Sequence, residues 1–226
     1  MATFNTIGVE LDTASWQLLQ VPAGTVRFIT MTQLVNANLD GGIVSIDWVD
    51  ATPGRSGQPL VQSMRTPRND ARPLLVGPLV LMPGDYLNTL ASAGGAQAHL
   101  TISYYDEAIA DLSAQFDTIG LSLTATVQDV FTVPVGKRRT ITTIHLANTT
   151  GATAAGMATV QWFNATAATE TNDPTVRLVM NLPVAAGDAR PALTGPLTLM
   201  PGDKLQMAGS AAGVIAATIC YYDEDV

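Results

Sequence analysis

The 226-residue sequence predicts an all-β protein built as two tandem, homologous antiparallel β-sandwich (jelly-roll-like) domains. Three observations predict it. The run DARPLLVGPLVLMPGDYL, Asp70 to Leu87, returns 118 positions later as DARPALTGPLTLMPGDKL, Asp188 to Leu205, the mark of a duplicated unit. Segments rich in Val, Ile, Thr and aromatics alternate with Pro, Gly, Asn and Asp words, which is the texture of strands and turns. No segment carries a helical period that would supply crossovers, so two packed sheets per unit are the simplest arrangement.

The repeat reaches back to the N-terminus. Phe4-Asn5-Thr6-Ile7-Gly8 returns as Phe116-Asp117-Thr118-Ile119-Gly120, and Val21-Pro22 with Gly24, Arg27, Ile29, Leu34 and Asn36 returns as Val133-Pro134 with Gly136, Arg139, Ile141, Leu146 and Asn148. Trp48 matches Trp162, and Tyr104-Tyr105-Asp106-Glu107 matches Tyr221-Tyr222-Asp223-Glu224. Length changes between copies fall in loops. The units are therefore 1–111 and 112–226.

Within the first unit, eight strands are expected near residues 5–11, 15–21, 26–35, 43–49, 58–65, 74–81, 86–91 and 99–105. Val21-Pro22-Ala23-Gly24 and Met82-Pro83-Gly84-Asp85 read as turns, Pro setting φ at the first central position and Gly supplying positive φ at the second. Glu107 to Gln115 joins the units as a helical turn or an extended strap, and its apolar character predicts domains packed side by side in a fixed relation.

Composition narrows the function classes. Only 13% of residues are charged and mean hydropathy is +0.23, a surface that favours burial in an assembly. The net charge of −8 repels a phosphate backbone, so nucleic-acid binding is disfavoured. The first residues lack the pattern of a secretory signal and no apolar run has the length of a membrane span; a soluble protein folded in the cytoplasm is expected. Cys220, the single cysteine, has no partner for a disulfide and no zinc-ligand spacing. On that expectation the Asn-x-Thr triplets at Asn148 and Asn164 stay unglycosylated.

The candidate chemistry is sparse. His99 and His145, one per unit, do not make a cupin-type metal set, and no metal or cofactor site is expected. The Asp-x-Arg pairs, Asp70 with Arg72 and Asp188 with Arg190, put both side chains on one face of an extended segment, where they clip the entry to the Gly-Pro strand or clasp a partner. Lys137-Arg138-Arg139 is a basic cluster at a turn tip, read as solvated or as a dock for an acidic neighbour. The acidic words Asp106-Glu107 and Asp223-Glu224 read as charges that blunt strand ends. Gly151 to Gly156 has glycines without a following Lys-Ser/Thr, an ordinary loop. No catalytic constellation is present, and no enzyme is expected.

A Val-Pro-x-Gly turn, a long Ile/Thr-rich strand ending in Asn (Ile29 to Asn36, Ile141 to Asn148), then Gly-Pro-Leu-x-Leu-x-Pro-Gly-Asp-x-Leu and an Ala/Ser/Gly loop: this order resembles the small β-sandwich structural proteins of tailed bacteriophage virions. The resemblance implies a virion structural protein, a capsid decoration or spike or a neck or tail component. Such a protein is made in the bacterial host cytoplasm and acts by self-assembly and by docking to other virion proteins; fusion of two similar units would let one chain fill two quasi-equivalent places in a ring, as in a trimer. The strand edges and the loops Ala91 to Ala98 and Ala208 to Ala216 are the expected contact regions. The alternative is a carbohydrate-binding or receptor-binding β-sandwich module; a metal-dependent cupin-type enzyme is a further rival.

Overall fold

The computed structural model describes residues 2–11, 13–36, 43–55, 57–65, 67, 70–75, 77–92, 98–150, 154–165, 174–193 and 195–226. The first half runs β1 (Thr3–Glu10), β2 (Trp16–Leu18), β3 (Thr25–Asn36), β4 (Ile43–Val49), β5 (Gln58–Arg65), β6 (Asp70–Pro73), β7 (Leu79–Leu81), β8 (Tyr86–Ala91) and β9 (Ala98–Ala108). A 3-10 turn, Ile109–Asp111, leads to the second half: β10 (Gln115–Ser122), β11 (Gln128–Thr132), β12 (Lys137–Asn148), β13 (Gly156–Phe163), β14 (Thr175–Val184), β15 (Ala189–Pro191), β16 (Leu197–Leu199), β17 (Lys204–Gly209) and β18 (Ile215–Asp225).

These strands form four antiparallel sheets. Sheet I has the order β1-β9-β3-β6, with β7 also on β3, and sheet II the order β2-β8-β4-β5. Sheet III repeats the first as β10-β18-β12-β15 with β16 on β12, and sheet IV repeats the second as β11-β17-β13-β14. One core, with Trp48, Leu34, Leu87 and Leu100, lies between sheets I and II, and another, with Leu146, Val160, Leu205 and Ile219, between III and IV. Alternation explains the packing: along β4 every second residue, Val44, Ile46 and Trp48, is buried.

The turn words do what their residues dictate. Gly84 and Gly202 take φ of 90° and 88°, and the amides of Asp85 and Asp203 close their turns on the carbonyls of Met82 and Met200, each at 3.0 Å. The Asp85 carboxylate then accepts from the amides of Met82 and Ala51 and from the Trp48 indole. One buried side chain thus ties the turn to the adjoining loop and the core.

The expectation of two tandem jelly-roll-like sandwich domains of eight strands each, packed side by side, is corrected. All-β is right, but the four sheets form one body, and among the described residues each half has nine strands: of the segment expected as a strand over 74–81 only Leu79–Leu81 (β7) pairs with β3, and Asp70–Pro73 (β6), not expected as a strand, adds the ninth. Sheet III lies in the middle of one four-sheet body, covered on one face by sheet IV and on the other by β5 and β7 of the first half. Cys220, Phe116 and Ala189 of the second half pack with the first half's core. Four sheets equal the blade number of a small propeller, but each sheet here joins strands that are not consecutive in the chain.

Candidate interaction surfaces

The residues singled out in the sequence are placed as follows. Lys137, Arg138 and Arg139 lie opposite Asp225, Glu224 and Asp223 in the β12/β18 ladder and pair with them at 2.7, 2.8 and 2.7 Å. The basic cluster and the acidic end are therefore one structure. Arg139 is the buried member: it holds Asp223 through Nε and Nη2, both at 2.7 Å, and its guanidinium lies 3.8 Å from the Tyr221 ring centroid. Arg27, its match in the first half, grips Asp106 the same way and covers Tyr104 at 4.2 Å. A planar fork that also stacks suits this place as no lysine would.

Arg72 reaches Asp70 at 3.5 Å with both side chains substantially exposed, and Asp70 also accepts from the Ala71 amide. In the second copy Arg190 donates to the Pro183 carbonyl, and the Asp188 carbonyl receives the Asn148 amide. The structure does not bring the two Asp-x-Arg pairs together with the basic cluster. His99 is exposed on β9, whereas His145 is buried on β12. Of the loop Ala91 to Ala98, residues 93–97 lie outside the described residues, as do 151–153 of Gly151 to Gly156.

The richest polar chemistry lies where the first half covers sheet III, a place the sequence did not single out. His145 donates from Nε2 to the Leu60 carbonyl at 2.8 Å, Thr143 donates to the Pro78 carbonyl at 2.9 Å, and Thr118 donates to the Val80 carbonyl at 2.6 Å. Arg55 adds a two-pronged pair with Asp117, at 2.9 and 3.0 Å. Burial pushes the His145 imidazole below its ordinary value, opposed by the Leu60 hydrogen bond and by Asp188. Burial also pushes the Cys220 thiol up to about 11; that sulfur lies 3.3 Å from the Thr118 hydroxyl. The signal that would have found this region is a difference between copies: Gln33, Met31 and Ser103 stand where the second half has His145, Thr143 and Cys220.

A cleft of about 300 Å³ at the junction of the halves is lined by Val26, Ile109, Phe116, Lys137 and Asp223 among others, but its charges are already paired with each other's neighbours in the β12/β18 ladder. Among the described residues there is no group of three potential metal ligands, and no helix long and apolar enough to cross a membrane.

No family model and no curated protein matches the chain. Solved structures that align with it include one from Sulfolobus turreted icosahedral virus, at 17% identity over 98% of this chain and 57% of that one, with a TM-score of 0.31. The crystal structure of the STIV MCP aligns at 9% identity over 97% of this chain and 96% of that one, TM-score 0.32. A tandem CBM22 domain from Paenibacillus barcinonensis aligns at 9% identity, covering 98% and 91%, TM-score 0.25. The chain spans 57% and 59% of the first two structures it matches. At such TM-scores these alignments carry no argument.

The resemblance to tailed-phage virion proteins is corrected by the fold, whose four sheets form one body and not tandem β-sandwich domains. Its words, Val-Pro-x-Gly and Met-Pro-Gly-Asp, are accounted for by local turn geometry and the Asp85 hydrogen bonds, which any chain needing those turns would use. With the resemblance goes the assignment as a capsid, neck or tail component, together with the module alternative that relied on the same separate sandwiches.

Proposed function

We propose that this chain is a non-catalytic assembly protein that works by binding further copies of itself through its sheet faces and edges. One observation carries the reading: matched positions differ in burial. Thr118, Thr143 and His145 are buried by the first half, while their matches Thr6, Met31 and Gln33 on the outer face of sheet I are exposed. Phe4, the match of the half-buried Phe116, is 75% exposed. A charge-poor face of this kind gains most from being covered. Light scattering on the purified chain over a wide concentration range tests the reading. Stable association is expected, and a chain that remains single at its solubility limit would sink it.

A further inference from the structure

We infer that copies join head to tail by repeating, between molecules, the contact that already joins the two halves of each chain. This rests on the assembly reading above and names the surfaces. The internal contact has two sides: a face on sheet III, with Thr118, Gly120, Thr143 and His145, and an edge on the first half, with Gln58, Leu60, Pro78 and Val80. The repeat supplies each side a second time. The second face is on sheet I, at Thr6, Gly8, Met31 and Gln33; the second edge is on β14 and β16, at Val176, Leu178, Pro196 and Thr198.

The match between the edges is structural as well as textual. Ser63 on β5 and Asn181 on β14 both take a left-handed φ, 56° and 52°. Val61 and Val179 pair with Ile46 and Val160, which are themselves matched positions. Leu60 therefore corresponds to Leu178, and Gln58 to Val176.

The free surfaces suit each other. Val176 is 45% and Met180 60% exposed, standing where the first half has Gln58 and Gln62. Opposite them, Met31 replaces Thr143 on the free face, so the second contact trades a hydrogen bond for apolar burial. Gln33 keeps an N–H donor in the place of His145, to be received by the carbonyl of Leu178 as His145 is by Leu60. Thr6 keeps the hydroxyl of Thr118.

The glycines make the argument independently of polarity. A Cβ on Gly120 would collide with Cγ of Gln58 and lie 3.0 Å from the Trp48 ring, and one on Gly77 would lie 2.6 Å from the Thr143 hydroxyl. Their matches, Gly8 and Gly195, have nothing within 4 Å. At Gly8 and Gly195 the room needed for close approach is present, and the approaching neighbour is another molecule; Gly187, which meets the Ser63 backbone in the internal contact, is matched by Asn69, so the two contacts differ at that point. Face and edge differ, so the contact is heterologous and propagates until rotation closes a ring or leaves an open filament.

The test uses two full-length variants. Gly8→Leu fills open space on an exposed strand and blocks the face; Val176→Glu places a charge on the edge. Each alone is expected to weaken association about 100-fold or more, as central interface positions do, with a melting temperature equal to that of wild type at dilutions where wild type is also dissociated. Mixed in equal amounts they are expected to form a one-to-one heterodimer, because each retains the side the other lacks. Wild type that assembles while either variant assembles equally well overturns the head-to-tail contact and leaves the assembly reading standing, as does a mixture that stays monomeric. Wild type that never assembles overturns both. An intermolecular disulfide formed by the double variant Gln33→Cys, Leu178→Cys, and by neither single one, would support the pairing directly.

Discussion

His145 on β12 donates a hydrogen bond from Nε2 to the carbonyl of Leu60 on β5 at 2.8 Å, and this buried contact ties the second half of the chain to the first. The carbonyl only accepts, so the ring carries its proton on Nε2 and is neutral when Nδ1 is bare. Among the described residues Nδ1 has no hydrogen-bond partner, nor does the hydroxyl of Thr218, which faces His145 across the ladder.

The pH dependence follows from that environment. Burial lowers the imidazole's folded-state pKa, so the unfolded chain takes up a proton first as pH falls through about 6.5. The stability this neutral histidine allows is present above that pH and is lost progressively below it, toward the depressed folded value. Thermal melts between pH 8 and pH 5 are expected to show the loss. His145→Gln, which installs the residue found at the matched Gln33, is expected to flatten the profile in that window.

Arg139 and Asp223 form the buried pair of the basic ladder, their side chains 9% and 12% exposed. Arg139→Met would leave the carboxylate unpaired in that setting, at a cost of about 3 kcal/mol. For a chain of this size the melting temperature falls by roughly 6 to 12 °C. Arg139→Lys is expected to recover only part of it, because the two-pronged grip and the stacking on Tyr221 need a guanidinium. Arg138→Met, whose partner Glu224 is far more exposed, is expected to change stability by less than about 1 kcal/mol.

Asp85 and Asp203 allow a comparison between copies. Asp85 receives three donors: the amides of Ala51 and Met82 at 2.9 and 3.0 Å and the Trp48 indole at 3.2 Å. Asp203 receives the amides of Ala165 and Met200, at 2.9 and 3.0 Å, while the Trp162 indole N–H has no partner among the described residues. Each buried donor left unsatisfied costs about 1 to 3 kcal/mol. Asp85→Ala is therefore expected to destabilise more than Asp203→Ala, by about the worth of one donor, in chemical denaturation.

Cys220 reports on the junction between the halves. Its thiol is fully buried and its pKa is pushed up to about 11 by that burial, against the opposing hydrogen-bonding contacts with Thr118 and the Val80 backbone. A protonated, covered thiol is a poor nucleophile. Thiol reagents at pH 8 are expected to leave the native chain unmodified. Thr118→Val, which removes the bond to the Val80 carbonyl, is expected to raise the labelling rate before the global melting temperature falls substantially.

Much of this was legible in the residues. The duplication, the all-β texture and most strand positions follow from local rules: β4 and β5 occupy Ile43–Val49 and Gln58–Arg65 as expected, since alternation and turn chemistry act over a few neighbours. Over 74–81, expected as one strand, only Leu79–Leu81 is strand, and the other piece on the same partner strand, Asp70–Pro73, is too short to show a period of two. The basic and acidic words were seen separately, as charge at two distant points, when the register of β12 on β18 makes them one ladder.

The order of residues settles that the chain is two copies of one β unit, where it turns, and which side of each strand is apolar; all of these depend on bonded geometry and on a period of two. What the folded structure adds is that the copies are unequal. The first half's edge lies on the second half's sheet, burying Thr118, Thr143 and His145 while Thr6, Met31 and Gln33 stay in the open. Packing between strands some eighty residues apart has no local signature, so the same motif is core in one copy and surface in the other.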